Sequence, residues 1–309
     1  MQVTHGFLRP GGAPTGLTIG NFDGVHRGHR AMLDRLVAKA RALGVPCGVL
    51  TFEPHPREFF SAATAPTRLS RLREKLELIA EAGIDRTHVL RFGAQLAAMS
   101  AERFIEDVLL RGMGVRWLLV GRDFRFGAKR AGDFEMLKAA GARQGFGVEA
   151  MDDVLEGAQR ISSSGVRAAL AAGDLEAAAR LLGRPYTMSG RVAHGEKLGR
   201  TLGFPTANLV LRRLPPLAGI FAVEAEVEET QLRLKGVASV GRRPTVRENA
   251  APLLEVHLFD WTGDLYGRHL RVTFLRKLRD EAKYDGLEAL RAAIARDAAE
   301  AKDYFAKHG

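Results

Sequence analysis

Two periods of apolar spacing divide the chain. In the first half, short apolar runs alternate with segments of helical period: Leu17 to Ile19, then Leu33, Leu36, Val37 and Ala40 on one helix face, then the run from Val45 to Phe52. That order predicts a βαβ unit. Further strands are expected at Thr87 to Arg91, Trp117 to Val120 and Val148 to Met151, separated by helices over Leu72 to Ala82, Ala101 to Leu110 and Phe134 to Ala142. Such alternation builds a mostly parallel, doubly wound α/β sheet. Two more helices, Gly165 to Ala172 and Leu175 to Leu182, lead to Gly183-Arg184-Pro185, where glycine and proline stop helical structure. A domain boundary is expected there, giving segments 1–185 and 186–309.

Beyond that point the period is two. Phe221, Val223, Ala225 and Val227 alternate with Glu224, Glu226 and Glu228, and Leu270, Val272 and Phe274 alternate with Arg271 and Thr273. Short alternating strands with turn residues between them predict a small antiparallel β-barrel, and the alanine-rich stretch from Gly286 to Ala306 has the period of a closing C-terminal helix.

Composition narrows the class. With 46% apolar and 27% charged residues over 309 positions, the chain is globular rather than disordered or fibrous. No apolar run approaches membrane-spanning length, and the N-terminus lacks the basic-then-apolar pattern of a secretory signal, so a cytoplasmic protein with no membrane partner is expected. Cys47, the single cysteine, sits in an apolar run and reads as a small buried hydrophobe. The net charge of +10 is spread over both halves without a block of five like charges, which suits small phosphorylated partners better than nucleic acid. Oligomerisation is compatible with this pattern but not readable from it.

The first chemical constellation is Gly20-Asn21-Phe22-Asp23-Gly24-Val25-His26-Arg27-Gly28-His29, between the first strand and its helix. A helix N-terminus there offers free N–H groups and a positive dipole end to a phosphate. Gly28 lets a phosphate approach the backbone, and His26 and His29, three apart, share a side of the first turn. A glycine-rich turn with two exposed histidines fits the spacing as well. His55, between two prolines, leaves the carboxyl end of the next strand, where open α/β sheets bind ligands; a rigid strand exit is the alternative. Asp123, Phe124 and Phe126 follow a later strand at the same sheet edge, where simple loop packing fits equally. Gly145 to Ala150 matches G-x-G-x-x-A formally but runs from helix to strand, the reverse of a dinucleotide turn, and no Walker loop occurs.

The second constellation is Gly195-Glu196-Lys197-Leu198-Gly199-Arg200-Thr201-Leu202-Gly203-Phe204-Pro205-Thr206-Ala207-Asn208. A loop with three glycines and two basic residues can wrap phosphates. Thr206 and Asn208, two apart in an extended segment, project to one side, and a hydroxyl beside an amide oxygen suits Mg²⁺ shared with nucleotide phosphates. A self-bonded turn is the alternative. Glu255 alternates with Leu254, Val256 and Leu258, so it lies on the opposite strand face: a base for an attacking hydroxyl, or a solvated glutamate.

These strings resemble those of the bifunctional riboflavin kinase/FMN adenylyltransferases, the bacterial FAD synthetase family. The N-terminal string is similar to the H-x-G-H motif of nucleotidyltransferases with that family's flanks, and is followed in order by Thr51-Phe52-Glu53-Pro54-His55-Pro56, Val120 to Gly127 and Ile161-Ser162-Ser163-Ser164-Gly165-Val166-Arg167. The string from Gly195 to Asn208 resembles the G-R-x-L-G-F-P-T-A-N motif of riboflavin kinases, with matches at Gly219 to Val223, Gly236 to Thr245, Leu254 to Asp260 and Leu278 to Tyr284. The resemblance implies a Rossmann-like nucleotidyltransferase domain that converts FMN and ATP to FAD and pyrophosphate, then a barrel that phosphorylates riboflavin from ATP, with Mg²⁺ as metal. By motif, His26 and His29 would hold ATP phosphates, Asn21 and Asp23 would shape the loop, and Ser162, Ser163 and Arg167 would contact phosphates, helix capping being the alternative for the serines. His55 would face the flavin. Gly195, Lys197, Gly199 and Arg200 would wrap the kinase nucleotide, Glu255 would be the base, and Arg279 and Glu281 would line the flavin side. Two other readings are an adenylyltransferase whose barrel only binds, which Leu198 in the phosphate loop suggests, and a non-catalytic flavin- or RNA-binding module.

Overall fold

The computed structural model describes residues 1–7, 10–194, 202–211, 213–241 and 252–308. It divides into two compact units: Met1–Pro66 with Ser70–Ser162, and Thr67–Leu69 with Ser163–Gly309.

In the first unit, β1 (Gln2–His5), β2 (Thr15–Ile19), β3 (Cys47–Glu53), β4 (Arg86–Arg91), β5 (Val115–Gly121) and β6 (Gly147–Met151) form one sheet in the order β1-β4-β3-β2-β5-β6, with every pairing parallel. All five residues of β2 and the first five of β3 are buried, as covered parallel strands require. The helices are α1 (Arg27–Ala42), α2 (Pro56–Phe60), α3 (Leu72–Glu81), α4 (Ala94–Ala97), α5 (Ala101–Arg103) and α6 (Phe134–Gln144). Helix α1 buries the stripe its spacing announced, Leu33, Leu36, Val37 and Ala40. The two-residue strands β7 (Leu155–Glu156) and β8 (Gln159–Arg160) pair as a short ribbon. Two features depart from the expected elements. Strand β1 has one half-buried residue among exposed ones, so no period marked it. The helix expected to reach Leu110 continues from α5 as a π-helix over Phe104–Gly112; its apolar positions keep one face under either winding, so periodicity could not separate them.

The second unit carries α7 (Ser163–Ala172), α8 (Leu175–Leu182) and a closed barrel. Its strands β9 (Thr187–Ala193), β10 (Thr206–Val210), β11 (Gly219–Val227), β12 (Leu232–Gly241), β13 (Leu253–Leu258) and β14 (His269–Arg279) run in the order β10-β13-β12-β11-β14-β9, and β9 pairs back to β10. The helices placed before residue 185 by sequence therefore cluster with the barrel: Val166, Leu170, Leu175, Ala178 and Leu182 share a buried core with Phe221, Val223, Val272 and Phe274. Gly183, in left-handed backbone, caps the end of α8. Helix α9 (Leu287–His308) buries Ala293, Asp297, Ala301 and Phe305 at four-residue intervals. Its Ala298, Ala301 and Phe305 cover Ile220 and Ala222, which explains apolar residues on the outer face of β11.

Phe274 is 1% exposed and meets Phe221 edge-on at 5.3 Å and Tyr186 at 6.0 Å. Phe274→Ala is expected to destabilise the barrel by about 3–5 kcal/mol. Denaturant unfolding of the variant, followed by circular dichroism, measures it.

Candidate active sites

In the first unit the turn after β2 is strained. Phe22 and Val25 take φ values of +48° and +39°, around Gly24 at +79°. Left-handed backbone is unfavourable for a bulky or β-branched residue, and such strain persists only where surroundings over-determine it. They do so here: Phe22 is fully buried, Asp23 accepts from the Ser70 N–H at 3.1 Å and hydroxyl at 3.4 Å, and the Gly24 N–H donates to Ser70 Oγ at 3.0 Å.

The turn delivers His26 as N-cap of α1, its Nδ1 accepting from the His29 N–H at 3.3 Å. The two imidazoles stack with centroids 3.7 Å apart, and the Phe22 ring lies 5.0 Å from His29. A Cβ on Gly28 would sit 3.2 Å from the His26 ring and 3.4 Å from the Ile161 carbonyl, so glycine keeps this helix start open. Two polar atoms here are buried without a partner in the structure: Asn21 Oδ1 and His29 Nδ1. Buried polar atoms are normally satisfied, so these two are exceptions at the start of α1. Burial first, then His26, then Lys75, hold the His29 pKa well below its ordinary value.

Other sequence candidates are placed less directly. His55 is the N-cap of α2: its Nδ1 accepts from the Arg57 N–H at 3.1 Å, while Glu58 accepts from the His55 N–H. Asp123 is an exposed carboxylate that accepts from Arg160 at 3.0 Å, and that bond holds its pKa below the usual range. Phe126 packs on Phe104 at 5.4 Å and Phe124 on Phe126 at 5.7 Å, so these rings serve the loop. Ser162 ends the first unit. Ser163 opens α7 in the second, where Arg167 Nε donates to the Thr67 carbonyl at 2.6 Å. Sequence reading missed an aromatic cluster beside His55, in which Phe59 and Phe60 meet Phe92 at 5.6 and 5.7 Å while 40% and 69% exposed. Its members come from α2 and the residue after β4, distant in sequence, so no motif announced it.

In the second unit β10 pairs antiparallel with β13, placing Asn208 opposite Glu255 and Thr206 opposite His257. Ala207, Leu209, Leu254, Val256 and Leu258 point into the barrel core, so Thr206, Asn208, Glu255 and His257 share its other face. Asn208 is 7% exposed; its Nδ2 donates to the Thr206 carbonyl at 3.4 Å, and its Oδ1 is buried without a partner. His257 Nδ1 bonds the Pro205 carbonyl at 2.9 Å. The Glu281 carboxyl occupies the space where a side chain at Gly241 would lie, and burial, then the charge of Glu255, raise its pKa against the opposing pull of Arg279. Arg279 is fixed by a bidentate pair with Asp297 of α9, at 2.7 and 2.6 Å. A cavity of about 530 Å³ opens beside Thr206, lined also by Val192, Pro205, Trp261, Asp264 and Tyr266, and Trp261 Nε1 is buried there without a partner. Gly195, Lys197, Gly199 and Arg200 lie outside the described residues.

Both sites can be matched to known proteins. Residues 12–165 match the FAD synthetase family model and residues 182–305 the riboflavin kinase model. A bifunctional riboflavin kinase/FMN adenylyltransferase of Escherichia coli strain K12 is 49% identical over 290 residues, covering 94% of this chain and 92% of the relative. The chain belongs to the bifunctional riboflavin kinase/FMN adenylyltransferase family. It thus carries both activities, an FAD synthetase in its N-terminal part and a riboflavin kinase in its C-terminal part. The Pseudomonas fluorescens member of this family is 49% identical over 98% of this chain and 97% of its own. A solved structure named as a macrolide-efflux protein from Streptococcus pneumoniae superposes with a TM-score of 0.80 at 28% identity, over 96% of this chain and 97% of that one. Among the described residues no helix is long and apolar enough to cross a membrane. Family membership sets aside the readings with an inactive barrel or a purely binding module.

The depressed basicity of His29 ties stability to pH. The folded chain keeps this ring neutral where the unfolded chain, with its ordinary pKa of 6.5, begins to take up a proton. Acid therefore favours unfolding, and the contribution is lost as pH falls through about 6.5. His29→Gln removes that proton, so its stability should decline less between about pH 7 and 5, by at most about 1.4 kcal/mol per pH unit. Denaturant unfolding at several pH values measures this; a decline as steep as wild type would contradict it.

Proposed function

We propose that the stacked histidines at the head of α1 are the adenylyl-transfer centre and that Glu255 with Thr206 and Asn208 is the kinase centre. The observation that supports both is the set of buried, partnerless polar atoms, Asn21 Oδ1, His29 Nδ1 and Asn208 Oδ1, at the two places where the motifs put nucleotide phosphates. On this reading Ser162 adds a phosphate contact, and Asn21 and Asp23 shape the loop. The exposed Phe59 and Phe60 rings, backed by the half-buried Phe92 beside His55, suit the flat flavin of FMN.

For FAD formation, the FMN phosphate attacks the α-phosphorus of ATP in line and pyrophosphate leaves. The chain supplies position and positive charge: N–H groups at the start of α1 and the imidazoles of His26 and His29 meet charge on the moving phosphates. For FMN formation, the terminal hydroxyl of riboflavin attacks the γ-phosphorus of ATP while Glu255 takes its proton, and ADP leaves as the bond from the bridging oxygen to the γ-phosphorus breaks. Burial and the charge of Glu255 make Glu281 hold its proton more readily than an ordinary glutamate. Asn208 Oδ1 and the Thr206 hydroxyl are hard oxygen donors that fit Mg²⁺, which neutralises phosphate charge when bound. The neighbouring cavity, with its aromatic wall and unpartnered Trp261 N–H, suits the base of that nucleotide. Use of ATP by both centres fits work in the cytoplasm.

Chromatography of products from riboflavin, ATP and Mg²⁺, and separately from FMN and ATP, should show both FMN and FAD. His29→Ala should lower FAD formation at least about a hundredfold with FMN formation retained, and Glu255→Ala should do the reverse. Loss of both products in either variant would contradict separate centres.

A further inference from the structure

Lys75 is a charge where a hydrophobe would pack. It lies on α3 one turn before Ile79, on the same face, and the two are 3% and 0% exposed. Taking an ammonium out of water is costly, so a chain that keeps one inside is using its charge or its donors. Its Nζ donates to Thr51 Oγ1 at 3.4 Å, and that hydroxyl donates in turn to the Asn21 carbonyl at 3.3 Å. Thr51 is fully buried on β3, so the chain of donors crosses the sheet edge from α3 into the strained turn after β2. That turn holds Asn21 Oδ1 and leads to His29, whose unpartnered Nδ1 lies within the field of Lys75. The titratable groups acting on His29 are His26, stacked on it from the same helix, and Lys75 from α3.

We propose that Lys75 is a positioning residue for adenylyl transfer, holding the Asn21 turn through Thr51 and setting a fixed positive charge beside His29. This rests on the first unit being the adenylyltransferase. A side chain with only a packing role would be replaceable by an apolar one of equal length without loss of chemistry.

The test uses the full chain, whose kinase activity reports on every sample. Lys75→Met should lower kcat for FAD from FMN about 10- to 100-fold, the loss typical of a displaced reactive group, with KM for ATP and FMN changed less than about threefold. Riboflavin phosphorylation, which belongs to the other unit, should stay within about twofold of wild type. In the free protein the His29 resonances should titrate at higher pH than in wild type, and Lys75→Arg should recover part of kcat. Thr51→Val, which breaks the chain of donors but keeps the charge, should lower kcat by a smaller factor and add nothing to Lys75→Met. Wild-type kcat in Lys75→Met, an unmoved His29 titration, or factors that simply multiply in the double variant would each overturn the proposal. If Lys75→Met unfolds the first unit, wild-type kcat in Thr51→Val overturns it alone. A wild-type protein that makes FMN but no FAD would instead overturn the assignment of the first unit.

Discussion

The register between β10 and β13 is the constraint on which the second unit depends. Asn208 faces Glu255 only because these strands pair antiparallel at that offset, and the alternate residues of both, Leu209, Leu254 and Val256, are fully buried in the barrel. A slip of one residue would turn the carboxylate and the amide into the core and the leucines out to the site. Hydrophobic burial thus fixes the chemistry: the barrel cannot lose its alignment without losing its core. Glu255 also faces Ser239 of β12 across its other edge, so the carboxylate is flanked by two strands.

The first unit solves a similar problem with backbone strain. A residue such as Val25 at φ +39° costs about 1–3 kcal/mol, and Asp23, Ser70 and the buried Phe22 ring hold it there. The result is a helix start that presents His26 and His29 as one stacked pair. Both units therefore use packing energy to aim a few polar atoms that the protein itself leaves unsatisfied.

Much of this was legible in the sequence, because alternation and helical spacing record which face is buried. The parallel strands apart from β1, the α1 stripe, the alternating strands and the closing helix follow from periodicity, and the two motif strings marked both candidate sites. What escaped was tertiary. Helices α7 and α8 read as ordinary amphipathic segments, and nothing local says which sheet they cover. His55 sits where a ligand residue was expected, yet its Nδ1 caps a five-residue helix, a role visible only once Arg57 folds back. Lys75 has the sequence setting of one more surface charge beside Glu74 and Glu77, and the Phe59, Phe60 and Phe92 cluster gathers residues that are neighbours only in space.

The stacked imidazoles carry a consequence for binding. With no anion beside it, burial first, then the neighbouring His26, then Lys75 disfavour a proton on His29. If the nucleotide's phosphates bind there, as proposed, they reverse that balance and draw a proton onto the ring. The proton and the nucleotide then become joint ligands of one site, each tightening the hold on the other, and by reciprocity the nucleotide's affinity rises as the solution becomes more acidic across the range in which the ring fills.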